Sequence, residues 1–217
     1  MSPSVSILER VVALGGPLTT QDVLSRAVYA SLRPAVRREM IRLKAGRRTP
    51  LGPHCTLTFE NRATAWFQVH EELRFASRDD MGATLELLST YNRLIPESGE
   101  LRATLLIDTA DRAVARSLSR LLALHIEALH VRLGARELWA QPLEPLGECI
   151  PGLAYVRLAP RADAQAGAWP SARWSGGGQN AVSPLRPEVE LALRAELDGP
   201  TPARRPLARR LSCPSAR

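Results

Sequence analysis

The residues best suited to chemistry lie close together in the chain. Glu60, Asn61 and Arg62 precede Gln68, Glu71 and Arg74. They join the end of a strand to the first turns of a helix. Free backbone N–H groups at a helix start hold anions, and Arg62 would add a bidentate donor. Glu71 would orient Arg62 or Arg74, or act as an acid or base. The same residues also suit an ion-pair and capping network that braces the strand-to-helix joint, because arginine–carboxylate clusters serve both ends. Sequence alone assigns no catalytic residue.

A second set is basic. Between Arg26 and Arg48 there are eight basic residues and one acid, Glu39. Arg37, Arg38, Arg42, Lys44, Arg47 and Arg48 form its candidate surface. Arginines also dominate the C-terminal end, and the whole chain carries a net charge of +7. Such surfaces meet an acidic protein, an anionic lipid layer or nucleic acid. A nucleic-acid reading would use the basic helix and tail and would give salt-sensitive binding. Against it stand an aromatic content of 5% and the lack of a recognisable binding motif.

No metal site and no cofactor are expected. Glu127 and His130 match a Glu-x-x-His spacing, but only one copy is present, and in a strand the two side chains point apart. His54 and Cys55 are only two neighbouring ligands where a metal wants four. His70 falls on the apolar side of its helix and reads as a core histidine. Phosphate loops, dinucleotide fingerprints and nucleophile elbows are missing. Cys55, Cys149 and Cys213 are odd in number and far apart, which fits a reducing compartment. There is no signal-peptide pattern and no apolar run near the ~18 residues of a membrane span. The expectation is a cytoplasmic protein.

These residues need elements to hold them. Residues 1–18 read as an extension, with a short amphipathic helix stopped by Gly15, Gly16 and Pro17. Thr19 and Asp22 read as a helix-start capping pair. Pro34 suits a first helical turn, after which Val36, Met40 and Leu43 make an apolar stripe. Cys55 to Phe59 alternates as a strand. Thr64 to Phe75 is the strongest helix, with Trp66, Val69, His70 and Leu73 on one side. Met81 to Asn92 is a helix with Leu85 and Leu88 inward. Leu101 to Ile107 is a strand, and Asp111 to Leu124 a helix. Ile126 to Leu133 and Arg136 to Gln141 are strands joined by Gly134 and Ala135. Leu153 to Leu158 is the last strand. Together they predict an α+β domain over residues 19–159, with a mixed or antiparallel sheet covered by helices. Residues 160–186, with Gly176, Gly177 and Gly178 at their centre, read as a disordered linker. Residues 187–198 read as a short docking helix, and 199–217 as a disordered basic tail.

The run Leu43-Lys44, Arg47-Arg48, Gly52-Pro53, Phe59-Glu60-Asn61-Arg62, Thr64, Gln68, Glu71 and Leu73-Arg74 resembles the signature of an uncharacterised bacterial family, domain-of-unknown-function family thirty-five-oh-one. Tyr91-Asn92, Leu94-Ile95-Pro96, Gly99-Glu100-Leu101 and Ala103-Thr104-Leu105 are similar to its second block, and the helix from Pro187 to Asp198 to its C-terminal end. Glu72 stands where the family usually has methionine, and Ala76 where it usually has glutamate. The resemblance implies association with rubrerythrin-like ferritin-fold proteins and an iron-sulfur protein related to heterodisulfide reductase. On that footing the expected role is a non-catalytic accessory of iron-sulfur or ferritin-like redox partners. The alternatives are an enzyme or small-anion binder using the Glu60–Arg74 cluster, and nucleic-acid binding.

Overall fold

The computed structural model describes residues 7–76, 81–148, 150, 152–161 and 169–199. The helices are α1 (Ile7–Ala13), α2 (Arg26–Ala45), α3 (Arg62–Leu73), α4 (Met81–Asn92), α5 (Arg112–His125) and α6 (Pro187–Asp198). The strands are β1 (Arg48–Pro50), β2 (Cys55–Glu60), β3 (Leu101–Ile107) and β4 (His130–Leu133). They continue with β5 (Arg136–Pro142), β6 (Leu153–Pro160), β7 (Ser171–Gly176) and β8 (Gln179–Pro184). The class is α+β, as the order of elements predicts. No helix among the described residues is long and apolar enough to cross a membrane.

The chain forms two compact units, and α2 runs from one into the other. The helical unit holds α1, most of α2, α3 and α4. Thr19 and Asp22 do form the predicted capping box, around a single 3-10 turn, with Asp22 Oδ2 accepting the Thr19 N–H at 2.7 Å. The long helix starts earlier than predicted. Ser25 Oγ accepts the Val28 N–H, so α2 begins at Arg26 and Pro34 lies inside it. A proline there leaves the carbonyl four residues back without its N–H partner. Ala30 and Pro34 are both exposed, so that carbonyl is on the solvent side of the helix. On α4 only Leu88 is buried; Leu85 is 52% exposed, contrary to the inward position expected of it.

The sheet unit is one eight-stranded sheet in the order β1-β2-β3-β6-β5-β4-β7-β8, antiparallel at every pairing. Strand alternation sends Leu57, Phe59, Ala103, Leu105, Val156, Leu138, Val131 and Ala172 to one face. Leu122 of α5 and Val189, Leu193 and Leu197 of α6 join the same apolar cluster. A Cβ at Gly52, beside β1, would lie 3.5 Å from Ala181 of β8, so the β1 end of the sheet comes round to its β8 end. Both outermost strands close on a proline, Pro50 and Pro184.

The structure corrects the reading of residues 160–186 as a disordered linker. Residues 171–184 form the β7–β8 hairpin, and β7 pairs with β4. Ala172 and Trp174 point into the core, while the intervening residues are polar. The glycines are the turn itself. Gly177 and Gly178 have φ of 56° and 78°, the pair of positive values a tight two-residue hairpin requires. A Cβ on Gly176 would come within 2.5 Å of His125, and one on Gly177 within 2.3 Å of Leu121. Residues 162–168 of the proposed linker, and all but Gly199 of the proposed tail, lie outside the described residues. The strand expected from Ile126 begins only at His130, because Ile126–Ala128 form a 3-10 turn.

The helix over 187–198 packs within the sheet unit, with Val189 and Leu193 fully buried. Truncating Leu193 to alanine should therefore cost about 3 kcal/mol of unfolding free energy. Denaturant titration checks this; a loss under about 1 kcal/mol would place α6 outside the cooperative core.

Candidate functional site

The predicted cluster divides at the strand-to-helix joint: Glu60 ends β2 in the sheet unit and Asn61 caps α3 in the helical unit. Asn61 Oδ1 accepts the Thr64 N–H at 3.0 Å, and Thr64 Oγ1 accepts the Asn61 N–H at 2.8 Å. This reciprocal pair satisfies the first free donors of α3.

Arg62 follows, 6% exposed. Its Nε donates to Gly16 O at 3.0 Å, one terminal nitrogen to Val11 O at 2.6 Å, and the other to Asp22 Oδ1 at 2.8 Å. One turn on, Trp66 Nε1 donates to Asp22 O at 2.8 Å. After another turn, His70 Nε2 accepts the Leu24 N–H at 2.9 Å. Its proton is therefore on Nδ1, which donates to Trp66 O at 2.8 Å. Burial pushes the His70 pKa down to about 4, so the ring is neutral at pH 7. Its ring packs at a tilt against both Trp66 and Tyr29, with centroids 4.1 and 4.7 Å away. This is the core histidine that its apolar helix face predicts.

Glu71 does not meet Arg62. It takes a bidentate pair from Arg33 of α2, both bonds at 2.8 Å, together with the Tyr29 hydroxyl at 2.8 Å and Arg74 at 3.2 Å. The Arg33 bonds, more than any other influence, hold its carboxyl down at about 2. Burial, then the bond to Glu71, pushes the Tyr29 hydroxyl up. Gln68 is half-buried on α3 and belongs to neither set. The expected single cluster is thus two separate braces, completed by Asp22, Tyr29 and Arg33. The only sequence trace of these partners was the Thr19–Asp22 capping pair.

Glu60 is 4% exposed; its Oε1 accepts from Thr104 Oγ1 at 2.7 Å, and Oε2 has no hydrogen-bond partner among the described residues. The basic set also divides. Arg37, Arg38, Arg42 and Arg48 are exposed. Arg47 is not a surface residue: it is 6% exposed, donates to Phe59 O at 2.8 Å and Glu60 O at 3.1 Å, and pairs with Glu196 of α6. Burial pushes Glu196 up against the pull of Arg47. Lys44 is half-buried and its pKa is lowered, chiefly by burial. Among the described residues no three His, Cys, Asp or Glu side chains gather as a metal site. Glu127 lies in the 3-10 turn, a different element from His130. Burial raises the Cys55 thiol to about 11, which leaves it protonated at pH 7.

A family model described as "Protein of unknown function (DUF3501)" matches residues 17–148. The fold is similar to a crystal structure of a novel protein of unknown function from Burkholderia pseudomallei K96243, with a TM-score of 0.73 and 22% identity. The match covers 84% of this chain and 100% of that one. No curated protein matches the sequence.

Two outcomes follow from the braces. Arg62→Ala and Asp22→Asn should be coupled, the double variant losing at least about 1 kcal/mol less than the two singles summed. Arg62→Ala with Glu71→Ala should be additive within about 0.5 kcal/mol. Urea melts of the five variants and the parent decide; coupling to Glu71 instead would reverse the assignment. The second outcome concerns pH. His70 stays neutral in the fold down to about pH 4 but protonates near 6.5 when unfolded, so stability falls as pH drops through that window. The loss between pH ~7.5 and ~5 should be about 2 kcal/mol. It precedes the Glu71 contribution, which is present above 4.5 and lost as pH falls towards about 2. In His70→Gln the loss over that upper window should shrink markedly.

Proposed function

The chain belongs to the DUF3501 family, whose model spans most of it, and from that premise we propose that it is a non-catalytic accessory of iron-sulfur or ferritin-like, rubrerythrin-type redox proteins, docking on an acidic partner face through α2. The observation carrying this is the outer side of that helix. Arg37, Arg38 and Arg42 are exposed, and Ile41 among them is 67% exposed. Arg38 and Arg42 are one turn apart, a like-charge spacing that weakens a helix standing alone. An apolar residue within a basic rim has the anatomy of a protein interface, and the charge selects an acidic partner.

The braces support the non-catalytic part. Arg62 donates to three acceptors within the fold. Glu71 is neutralised by Arg33 and Arg74, and His70 uses both ring nitrogens. This leaves the small-anion reading of the cluster without a ready donor, and no observation favours it over the docking role.

The purified chain should bind a rubrerythrin-type or heterodisulfide-reductase-related iron-sulfur protein from its own genome, measured by biolayer interferometry. Reversing Arg37, Arg38 and Arg42 to glutamate should weaken binding about tenfold or more without changing the thermal midpoint. Failure to bind either candidate at low salt, or equal binding by the reversed variant, would overturn the proposal.

A further inference from the structure

The outer side of α5 carries arginines that the fold leaves unused. Arg112, Arg116 and Arg120 recur every four residues and are all exposed. That spacing lines them up along the helix, where like charges one turn apart repel. No acid lies within α5. Asp111, just before it, is the N-cap, and its Oδ1 accepts the Ala113 and Val114 N–H groups at 2.8 and 3.2 Å. Arg116 Nε donates to the Arg112 carbonyl at 3.4 Å, and neither Arg116 nor Arg120 has a carboxylate partner among the described residues. Arg33, Arg47 and Arg62, which brace the fold, each have one.

The two free arginines border a depression. Ala113, Arg116, Ser117, Arg120 and Leu121 line an open groove of about 440 Å³, within the size range of small-molecule sites. Ala113, Ser117 and Leu121 follow one another at the same four-residue spacing, so a second line of small and apolar side chains runs beside the arginines. Leu121 is fixed in place. It packs against the core cluster, and the β7–β8 turn lies against it so closely that a Cβ on Gly177 would come within 2.3 Å. The groove therefore sets two guanidiniums and a hydroxyl beside an apolar wall.

That combination selects its occupant. A single carboxylate cancels only one of two adjacent positive charges. A phosphomonoester carries nearly two negative charges at neutral pH and three acceptor oxygens, enough for both arginines and Ser117. The apolar wall has no use for inorganic phosphate but receives an organic substituent. No aromatic ring lines the groove, so the bases of a single strand find no stacking partner. The unmatched charge is confined to one short stretch of helix, where a stable protein interface draws on roughly 20–30 residues a side. We propose that the groove on α5 binds a small organic phosphate, with Arg116 and Arg120 holding the phosphoryl oxygens, Ser117 donating to one of them, and Ala113 and Leu121 receiving the apolar part. The inference is independent of the docking role given to α2 and uses different residues.

Isothermal titration calorimetry of the full chain with phenyl phosphate, inorganic phosphate and benzoate tests it. Phenyl phosphate should bind, and the other two should bind at least about tenfold more weakly. Its affinity should fall as pH drops below about 6, where the phosphoryl group loses its second charge. Arg116→Ala and Arg120→Ala should each weaken binding about tenfold or more at unchanged thermal midpoints. Reversal of Arg37, Arg38 and Arg42 should change it less than about twofold, which separates this groove from α2. No heat of binding with millimolar phenyl phosphate would overturn the proposal. So would benzoate or inorganic phosphate bound as tightly, or an affinity indifferent to Arg116 and Arg120. A DNA duplex or anionic lipid vesicles bound more tightly than phenyl phosphate, and released by Arg116→Ala, would assign the arginines to a polyanionic surface and overturn it as well.

Discussion

The buried guanidinium of Arg62 is the contact on which the helical unit depends. It accounts for two backbone carbonyls, those of Val11 and Gly16, and for the Asp22 carboxylate. Val11 and Asp22 are themselves 6% exposed, so losing the arginine deprives buried acceptors of their donor. Trp66 and His70 repeat the device at successive turns of α3, gripping Asp22 O and Leu24 N. Three side chains spaced one helical turn apart thus stitch an irregular stretch of backbone, which has few partners of its own, to a regular one. The N-terminal segment, which looks dispensable as an extension, is what these groups hold.

Helices and strands with strong periodicity were legible beforehand. Met81–Asn92 and Leu101–Ile107 have the predicted bounds, because turn residues flank both. What could not be read was pairing across distance. Arg62 and Asp22 are 40 residues apart, and Arg47 and Glu196 149 apart. Charge alone labelled Arg47 as surface, yet it serves carbonyls at the end of β2. In the joint, residue types correctly marked a place of dense polar contacts. They foresaw the Glu71–Arg74 pair but not Arg33, which takes Glu71 in a bidentate pair from a helix not adjacent in sequence.

The misread hairpin has a different cause. β7 and β8 are built mostly from small and polar residues, with Trp174 and Val182 the large apolar ones, so average composition resembles a linker. The signal lies in alternation, Ala172 and Trp174 inward against Ser171 and Arg173 outward, and in glycines at the one place a tight turn needs positive φ. Ala172 and Trp174 together fill the inward face of β7, so low apolar content here does not mean the lack of a core.

The prolines that close β1 and β8 constrain how this molecule meets others. A sheet with free edges invites a foreign strand to extend it through main-chain hydrogen bonds. Here one border strand is three residues long and ends at Pro50, and the other ends at Pro184. The borders also lie close to each other at Gly52 and Ala181. Proline removes the N–H that an incoming ladder would use. Recognition is thereby directed to side chains on helix and sheet faces, where it depends on charge and shape, and the chain is poorly suited to serve as a template for fibrous stacking.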